Sequence, residues 1–162
     1  MEFKFTPDNL EKVNNAIKRY PEKQAAVMPA LWIAQEQNGW ISNEVMKEVA
    51  SVLDMNPEDV LGVVTFYTMY HKKPMGKYHL QVCTNVSCML RGAYDIYENV
   101  KKNIGIDNMQ VTPDQKFSLE EVECMGSCGT APMIAINEDY FENVTTEKVE
   151  EILKSLSKGE GV

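Results

Sequence analysis

Four cysteines, set as two pairs, carry the strongest chemical signal in this sequence. Cys83 and Cys88 are spaced C-x4-C, Cys124 and Cys128 are spaced C-x3-C, and the chain has no others. Four thiolates meet the ligand demand of one [2Fe–2S] cluster, two for each iron. The neighbouring residues suit that use: Thr84, Asn85 and Ser87 in the first loop, Gly126, Ser127, Gly129 and Thr130 in the second. Small residues let backbone N–H groups approach sulfur closely. Cys88 falls near the start of an expected helix, where unpaired N–H groups and the positive dipole end favour thiolate. A formal net charge of −8 points to a low-potential cluster, because charge and hydrogen bonding around the sulfurs set the potential.

Other readings of the same cysteines stay open on spacing alone. A structural zinc site more often uses C-x2-C knuckles, although wider spacing is tolerated. A redox dithiol wants C-x2-C, which neither pair has. Four unrelated buried cysteines would seldom fall as two close pairs. A plant-type ferredoxin needs three cysteines in one C-x4-C-x2-C run. A Rieske centre needs two histidine ligands. The only histidines, His71 and His79, read as a loop residue and a residue on the polar side of a strand.

The elements that must position the cysteines follow from hydrophobic periodicity. Thr6-Pro7 starts a first helix that ends at Pro21. A second runs from about Lys23 to Gln37, with Pro29 predicting a kink or a late start, and Asn38-Gly39 stops it. Ser42 caps a third helix carrying Val45, Met46, Val49 and Leu53, and Asn56-Pro57-Glu58-Asp59 opens a fourth. The segment His71–Gly76 breaks the pattern and reads as a linker. Tyr78, Leu80 and Val82 then alternate with His79 and Gln81, a half-buried strand ending at Cys83. A helix follows from Cys88 to about Lys102. Strands are expected at Phe117 to Val122, Met133 to Ile136 and Tyr140 to Val144. A last helix is capped by Thr145-Thr146, and the tail from Ser157 to Val162 reads as frayed.

The fold class is therefore α+β: an N-terminal helical bundle over residues 1–72, then a second domain over 73–162. That domain carries a mixed four-stranded sheet, its first two strands parallel through a helical crossover and its last two antiparallel. This is the outline of a thioredoxin-like fold. Both cysteine pairs then follow strand ends at one end of the sheet, although 35 residues separate Cys88 from Cys124. The aromatics of the helical half, Trp32, Trp40, Phe66, Tyr67 and Tyr70, read mostly as core, some as interface. Met75, Met89, Met125 and Met133 read as apolar shielding, and Glu120-Glu121-Glu123 as a solvated strand edge or a patch for a basic partner.

Composition narrows the function further. The acidic balance argues against nucleic-acid or anionic-membrane binding. No stretch nears the roughly 20 apolar residues that span a bilayer. The N-terminus lacks the features of a signal or transit peptide, so the expectation is a bacterial-type cytosolic protein or an already processed one; in a reducing cytosol cysteines serve as metal or redox groups.

Four segments also carry a resemblance. Cys83-Thr84-Asn85-Val86-Ser87-Cys88-Met89-Leu90-Arg91-Gly92 resembles the first cluster motif of the NADH-quinone oxidoreductase E-subunit family. Glu123-Cys124-Met125-Gly126-Ser127-Cys128-Gly129-Thr130-Ala131-Pro132 resembles its second. Gln35 to Ile41 is similar to the family's helix-end motif, and Gly62 to Tyr70 to the segment leading into its ferredoxin domain. The match extends from about Pro21 to Leu156.

The resemblance implies a thioredoxin-like [2Fe–2S] ferredoxin domain behind the helical bundle, with Cys83, Cys88, Cys124 and Cys128 as ligands. It implies a subunit of an NADH dehydrogenase, respiratory complex I, lying at the cytoplasmic face of the bacterial membrane through the complex. The partner would be a flavoprotein subunit that carries FMN and oxidises NADH. This chain has neither G-x-G-x-x-G nor a P-loop, so hydride chemistry falls to the partner and one electron at a time comes here. The same subunit type serves NAD(P)-linked hydrogenases and formate dehydrogenases, which stand as the alternative. A zinc-stabilised binding module without redox role is the alternative of another class.

Overall fold

A computed structural model describes residues 2–159, and they divide between Pro74 and Met75 into two compact units. The first unit is helical. Helix α1 (Pro7–Ile17) starts where Thr6 accepts a hydrogen bond from the Asn9 N–H and Pro7 takes the first helical position. A 3-10 turn, Lys23–Ala26, leads into α2 (Val27–Asn38). Pro29 thus sits in the first turn of α2, where its missing N–H is harmless. This is the late start rather than the kink.

Helix α2 ends at Gly39, which takes the left-handed conformation (φ 82°) that favours glycine. Helix α3 (Asn43–Leu53) is capped by the Ser42 side chain, and α4 (Pro57–Phe66) begins at a proline followed by Glu58 and Asp59. Val13, Leu31, Ala34, Val45, Val49, Leu53, Val60 and Val64 are fully buried and form the core of this unit. Gln35 pins the segment after α4 to α2. Its Nε2 donates to the Met69 carbonyl at 2.9 Å and its Oε1 accepts from the His71 N–H at 2.7 Å.

The aromatic expectation holds only in part. Tyr70 is buried, but Trp32 and Tyr67 are over a third exposed and Phe66 is 77% exposed. Aromatic type alone does not say which side of a helix a ring leaves from.

The second unit is built on one mixed sheet. Its strands are β1 (Tyr78–Cys83), β2 (Gln110–Val111), β3 (Phe117–Val122), β4 (Ile134–Ile136) and β5 (Asp139–Phe141), in the order β2-β3-β1-β4-β5. Strands β1 and β3 are parallel, and β4 and β5 are an antiparallel hairpin, as the crossover and turn lengths predict. The sheet has five strands, one more than the sequence pattern yields. The addition, β2, is two residues long and pairs antiparallel with β3; so short a segment has no periodicity to read.

The crossover is also divided. In place of one helix from Cys88 there are α5 (Val86–Met89) and α6 (Ala93–Ile104), separated at Gly92, whose φ of 90° breaks helical continuity. Helix α7 (Thr146–Lys158) closes the unit, capped by the Thr145 side chain. It stays helical through Lys158, past the expected start of fraying, and Glu160, Gly161 and Val162 lie outside the described residues. One apolar core joins Leu80, Val82, Leu119 and Ile134 of the sheet to Ile96 and Val100 of α6 and Val149 and Leu153 of α7.

His79 lies on the polar side of β1 as expected but is buried, only 5% exposed. Its ring nitrogens lie 3.0 Å from Ser118 Oγ and 3.0 Å from Glu120 Oε2. The triple-glutamate reading changes with it. Glu120 and Glu121 lie on β3 just beyond Ser118 and Leu119, the two residues that pair with β2, and both carboxylates are engaged rather than simply solvated, accepting hydrogen bonds from β1 or the loop after it.

Candidate metal centre

Each cysteine pair follows the C-terminal end of a parallel strand, and the register brings the two ends together. Cys83 is the last residue of β1 and stands opposite Val122, the last of β3. The Thr84 N–H donates to the Val122 carbonyl at 3.1 Å, which carries the pairing one residue beyond the strand. Cys124 comes two residues after Val122, and Cys83 Sγ lies 3.9 Å from the Glu123 carbonyl oxygen. Cys88 is in α5, and Cys128 opens a short 3-10 turn, Cys128–Thr130.

The two pairs differ in environment. Cys83 and Cys88 are buried, 3% and 2% exposed, and pack with Ala93, Ala131 and Met133 in a small apolar cluster of their own. Val122 and Met125 lie against that cluster. Cys124 and Cys128 are exposed. A site of this shape has an apolar floor and an open side. Of the methionines expected to shield it, Met133 and Met125 do so, whereas Met89 is 44% exposed.

Burial acts most strongly on the Cys88 thiol. Desolvation pushes it up to about 11, a hydrogen bond with Cys83 and the nearby Cys83 and Cys128 sulfurs add to this, and a Met133 backbone hydrogen bond opposes it. Cys88 is the third residue of the four-residue α5 and is buried. The same interactions show that Cys83, Cys88 and Cys128 share one neighbourhood. Among the described residues, no three histidine, cysteine or carboxylate side chains converge tightly enough to hold a single metal ion. What the fold delivers is two cysteine pairs at one pole.

The donor set and the loops fit a cluster with two irons. The Gly126 N–H donates to Cys124 Sγ at 3.4 Å, a contact of the kind that stabilises sulfur ligands and tunes potential. Gly126 has a φ of 83° with nothing within 4 Å of a built Cβ, so the loop needs glycine there for its backbone shape, not for space. His79 is occupied away from the cysteines, its ring bound to Ser118 and Glu120.

Comparison with known proteins bears on this geometry. The model of the thioredoxin-like [2Fe–2S] ferredoxin family matches residues 13–157. The chain belongs to the thioredoxin-like [2Fe–2S] ferredoxin family. Among its relatives in that family, the NADH-quinone oxidoreductase E subunit of Rickettsia bellii (strain RML369-C) is 46% identical over 157 residues, covering 95% of this chain and 94% of the relative. The corresponding E 2 subunit of Rhizobium meliloti (strain 1021) is 39% identical over 152 residues, covering 94% and 90%. The resemblance read from the cysteine motifs is therefore borne out along nearly the full length.

A solved structure of NAD+-reducing [NiFe]-hydrogenase in the H2-reduced state superposes with a TM-score of 0.71 at 15% identity. It matches 80% of this ferredoxin-family chain, which spans only 22% of the hydrogenase chain, so the likeness is one of fold.

Sequence reasoning missed the side chains that brace the cysteine loops. Thr84 Oγ1 donates to Glu121 Oε1 at 2.8 Å, and Thr130 Oγ1 donates to Glu142 Oε1 at 2.6 Å. Glu121 was visible only as one of three acidic residues, and nothing in the sequence marks Glu142. Their partners are 37 and 12 residues away, so no local signal exists.

Proposed function

We propose that this chain is the electron-transfer subunit of an NADH-quinone oxidoreductase, with Cys83, Cys88, Cys124 and Cys128 holding one [2Fe–2S] cluster. The observation that carries this is the parallel β1–β3 register, which sets Cys83 opposite Val122 and so brings both cysteine pairs to one pole. When bound, such a cluster takes up and releases one electron. The chain's own part is to supply four sulfurs, bury two of them under Met133 and Ala131, and present the other two outward.

The electron donor in this reading is reduced FMN on a partner flavoprotein that oxidises NADH. Support comes from the NADH-quinone oxidoreductase relatives and from the surface beside Cys88. There Val86, Met89 and Leu90 are 57%, 44% and 78% exposed. Apolar side chains concentrated beside a redox site mark a surface suited to burial against another protein. No described helix is long and apolar enough to cross a membrane, and in this reading the chain is held at the membrane's inner face through the complex.

The ligand assignment is tested with Cys124→Ala. Three sulfurs remain, so the variant purified without oxygen should lose most of its iron and its visible charge-transfer absorption. Wild-type iron content with an unchanged spectrum would remove Cys124 from the ligand set.

A further inference from the structure

The two loops that carry the cysteines are each tied to a carboxylate from a different part of the unit. On the first loop, Thr84 directly follows Cys83, and its hydroxyl donates to Glu121 Oε1 at 2.8 Å. Glu121 is itself fixed, because its N–H donates to Asn108 Oδ1 at 3.0 Å. Its charge reaches into the unit: burial first, then the Asp107 and Glu121 carboxylates, hold the Tyr97 phenol above its ordinary range.

On the second loop, Thr130 lies two residues after Cys128. Its one hydroxyl hydrogen is shared unequally, donated chiefly to Glu142 Oε1 at 2.6 Å with the Ser127 carbonyl at 3.2 Å as the weaker acceptor. The backbone repeats the tie, with the Asn143 N–H donating to the Thr130 carbonyl at 2.8 Å. Hydrogen bonds from Thr130 and then Ser127 hold the Glu142 carboxyl below its usual range, so it is ionised at neutral pH.

We infer that Glu121 and Glu142 are positioning residues that brace the two cysteine loops and whose negative charge lowers the reduction potential of a cluster held between them. The inference rests on the ligand reading above. Two arguments support it. A threonine hydroxyl given to a carboxylate is a charge-assisted bond, shorter and stronger than a neutral one. It stiffens the loop beside Cys83 in one case and beside Cys128 in the other. Reduction adds one electron, and so one negative charge, to the space between the loops. Fixed carboxylates beside that space oppose the added charge, because charge around a cluster is one of the determinants of its potential. Sequence acidity pointed to a low potential only in bulk; these two residues place the charge.

The test uses the full chain and three readouts: iron content, the midpoint potential from a dithionite titration followed by EPR, and the rate of iron release to a chelator. Glu121→Gln and Glu142→Gln keep an oxygen that accepts the threonine hydroxyl and remove the charge. Each should move the midpoint to higher potential, with iron content kept, and the double variant should move it further because the two loops are separate. The midpoint should rise less with ionic strength in the double variant than in the parent, because two of the charges that salt screens are gone. Thr84→Val and Thr130→Val keep the charge and cut the brace, and should release iron several-fold faster.

A wild-type midpoint in both Gln variants would overturn the electrostatic role. Unchanged iron release in both Val variants would overturn the bracing role. A parent chain that carries no iron at all overturns this inference together with the ligand reading; a loaded parent with unmoved variants overturns this inference alone.

Discussion

Gly76 sits where β1 enters the sheet, and Gly76→Ala is a sharp test of the packing that aligns the cysteine pairs. A Cβ built there would lie 2.4 Å from the Phe117 carbonyl carbon and 2.7 Å from both the Phe117 oxygen and the Ser118 nitrogen. Ordinary contact begins near 3.4 Å, so the chains must part by about 1 Å. All three obstructing atoms are backbone atoms of β3, which is hydrogen-bonded to β1 on one side and β2 on the other, and cannot step aside as a side chain would. The Gly76 N–H also donates to Ser118 Oγ at 3.1 Å, a bond the displacement would stretch.

Overpacking typically costs about 1–3 kcal/mol, and backbone on the far side puts this case at about 3. For a unit of this size about 4–8 °C accompanies each kcal/mol, so the melting temperature should fall by roughly 12–24 °C. Calorimetry of the full chain, with amide exchange read at β1 and β3, would assign the loss to the sheet. Gly62→Ala is the control. It lies inside α4 with nothing within 4 Å of its added Cβ, and alanine there should stabilise by about 1 kcal/mol. A Gly76→Ala protein that melts within about 2 °C of the parent would refute the close approach on which the β1–β3 register argument rests.

Two further predictions concern single hydrogen bonds. The Tyr70 hydroxyl donates to the Met28 carbonyl at 3.1 Å, and burial pushes the phenol up to about 12. A raised acid of this kind stabilises the fold fully below the unfolded value near 10 and loses that contribution as pH rises towards 12. Tyr70→Phe should therefore cost about 1 kcal/mol at pH 7 and flatten the alkaline decline. Urea midpoints at pH 7 and pH 11 check this, and an unaltered pH dependence would contradict it. Thr145 Oγ1 accepts from the Lys148 N–H at 3.3 Å. Thr145→Ala should cost about 1 kcal/mol through loss of the α7 cap, read as a lower urea midpoint with unchanged slope.

Much of the fold was legible because its signals are local. Thr6-Pro7, Ser42 and Thr145 each mark a helix start with a side chain that caps it in the structure. The alternation from Tyr78 to Val82 gave β1, and the crossover length gave its parallel pairing. Features missed have no local signature. The strand at Gln110–Val111 exists only because β3 offers it an edge. Helix α6 is cut from α5 at Gly92, whose φ of 90° is a backbone feature that apolar spacing does not reveal. His79 reads as a polar-face residue by period alone, and only Ser118 and Glu120, brought alongside by β3, explain its burial. The cysteine spacing showed which residues belong together; the carboxylates that hold their loops depend on contacts between distant segments.

The proposed function stands or falls with a one-electron carrier held by these four cysteines. Iron and acid-labile sulfide, measured on protein purified without oxygen and read beside its dithionite-reduced EPR spectrum, test it most directly. A bound [2Fe–2S] cluster gives about two irons and two sulfides per chain with a spin-one-half signal on reduction. Zinc in place of iron, with no sulfide and no signal, would make the cysteine pairs a structural staple and contradict the electron-transfer function.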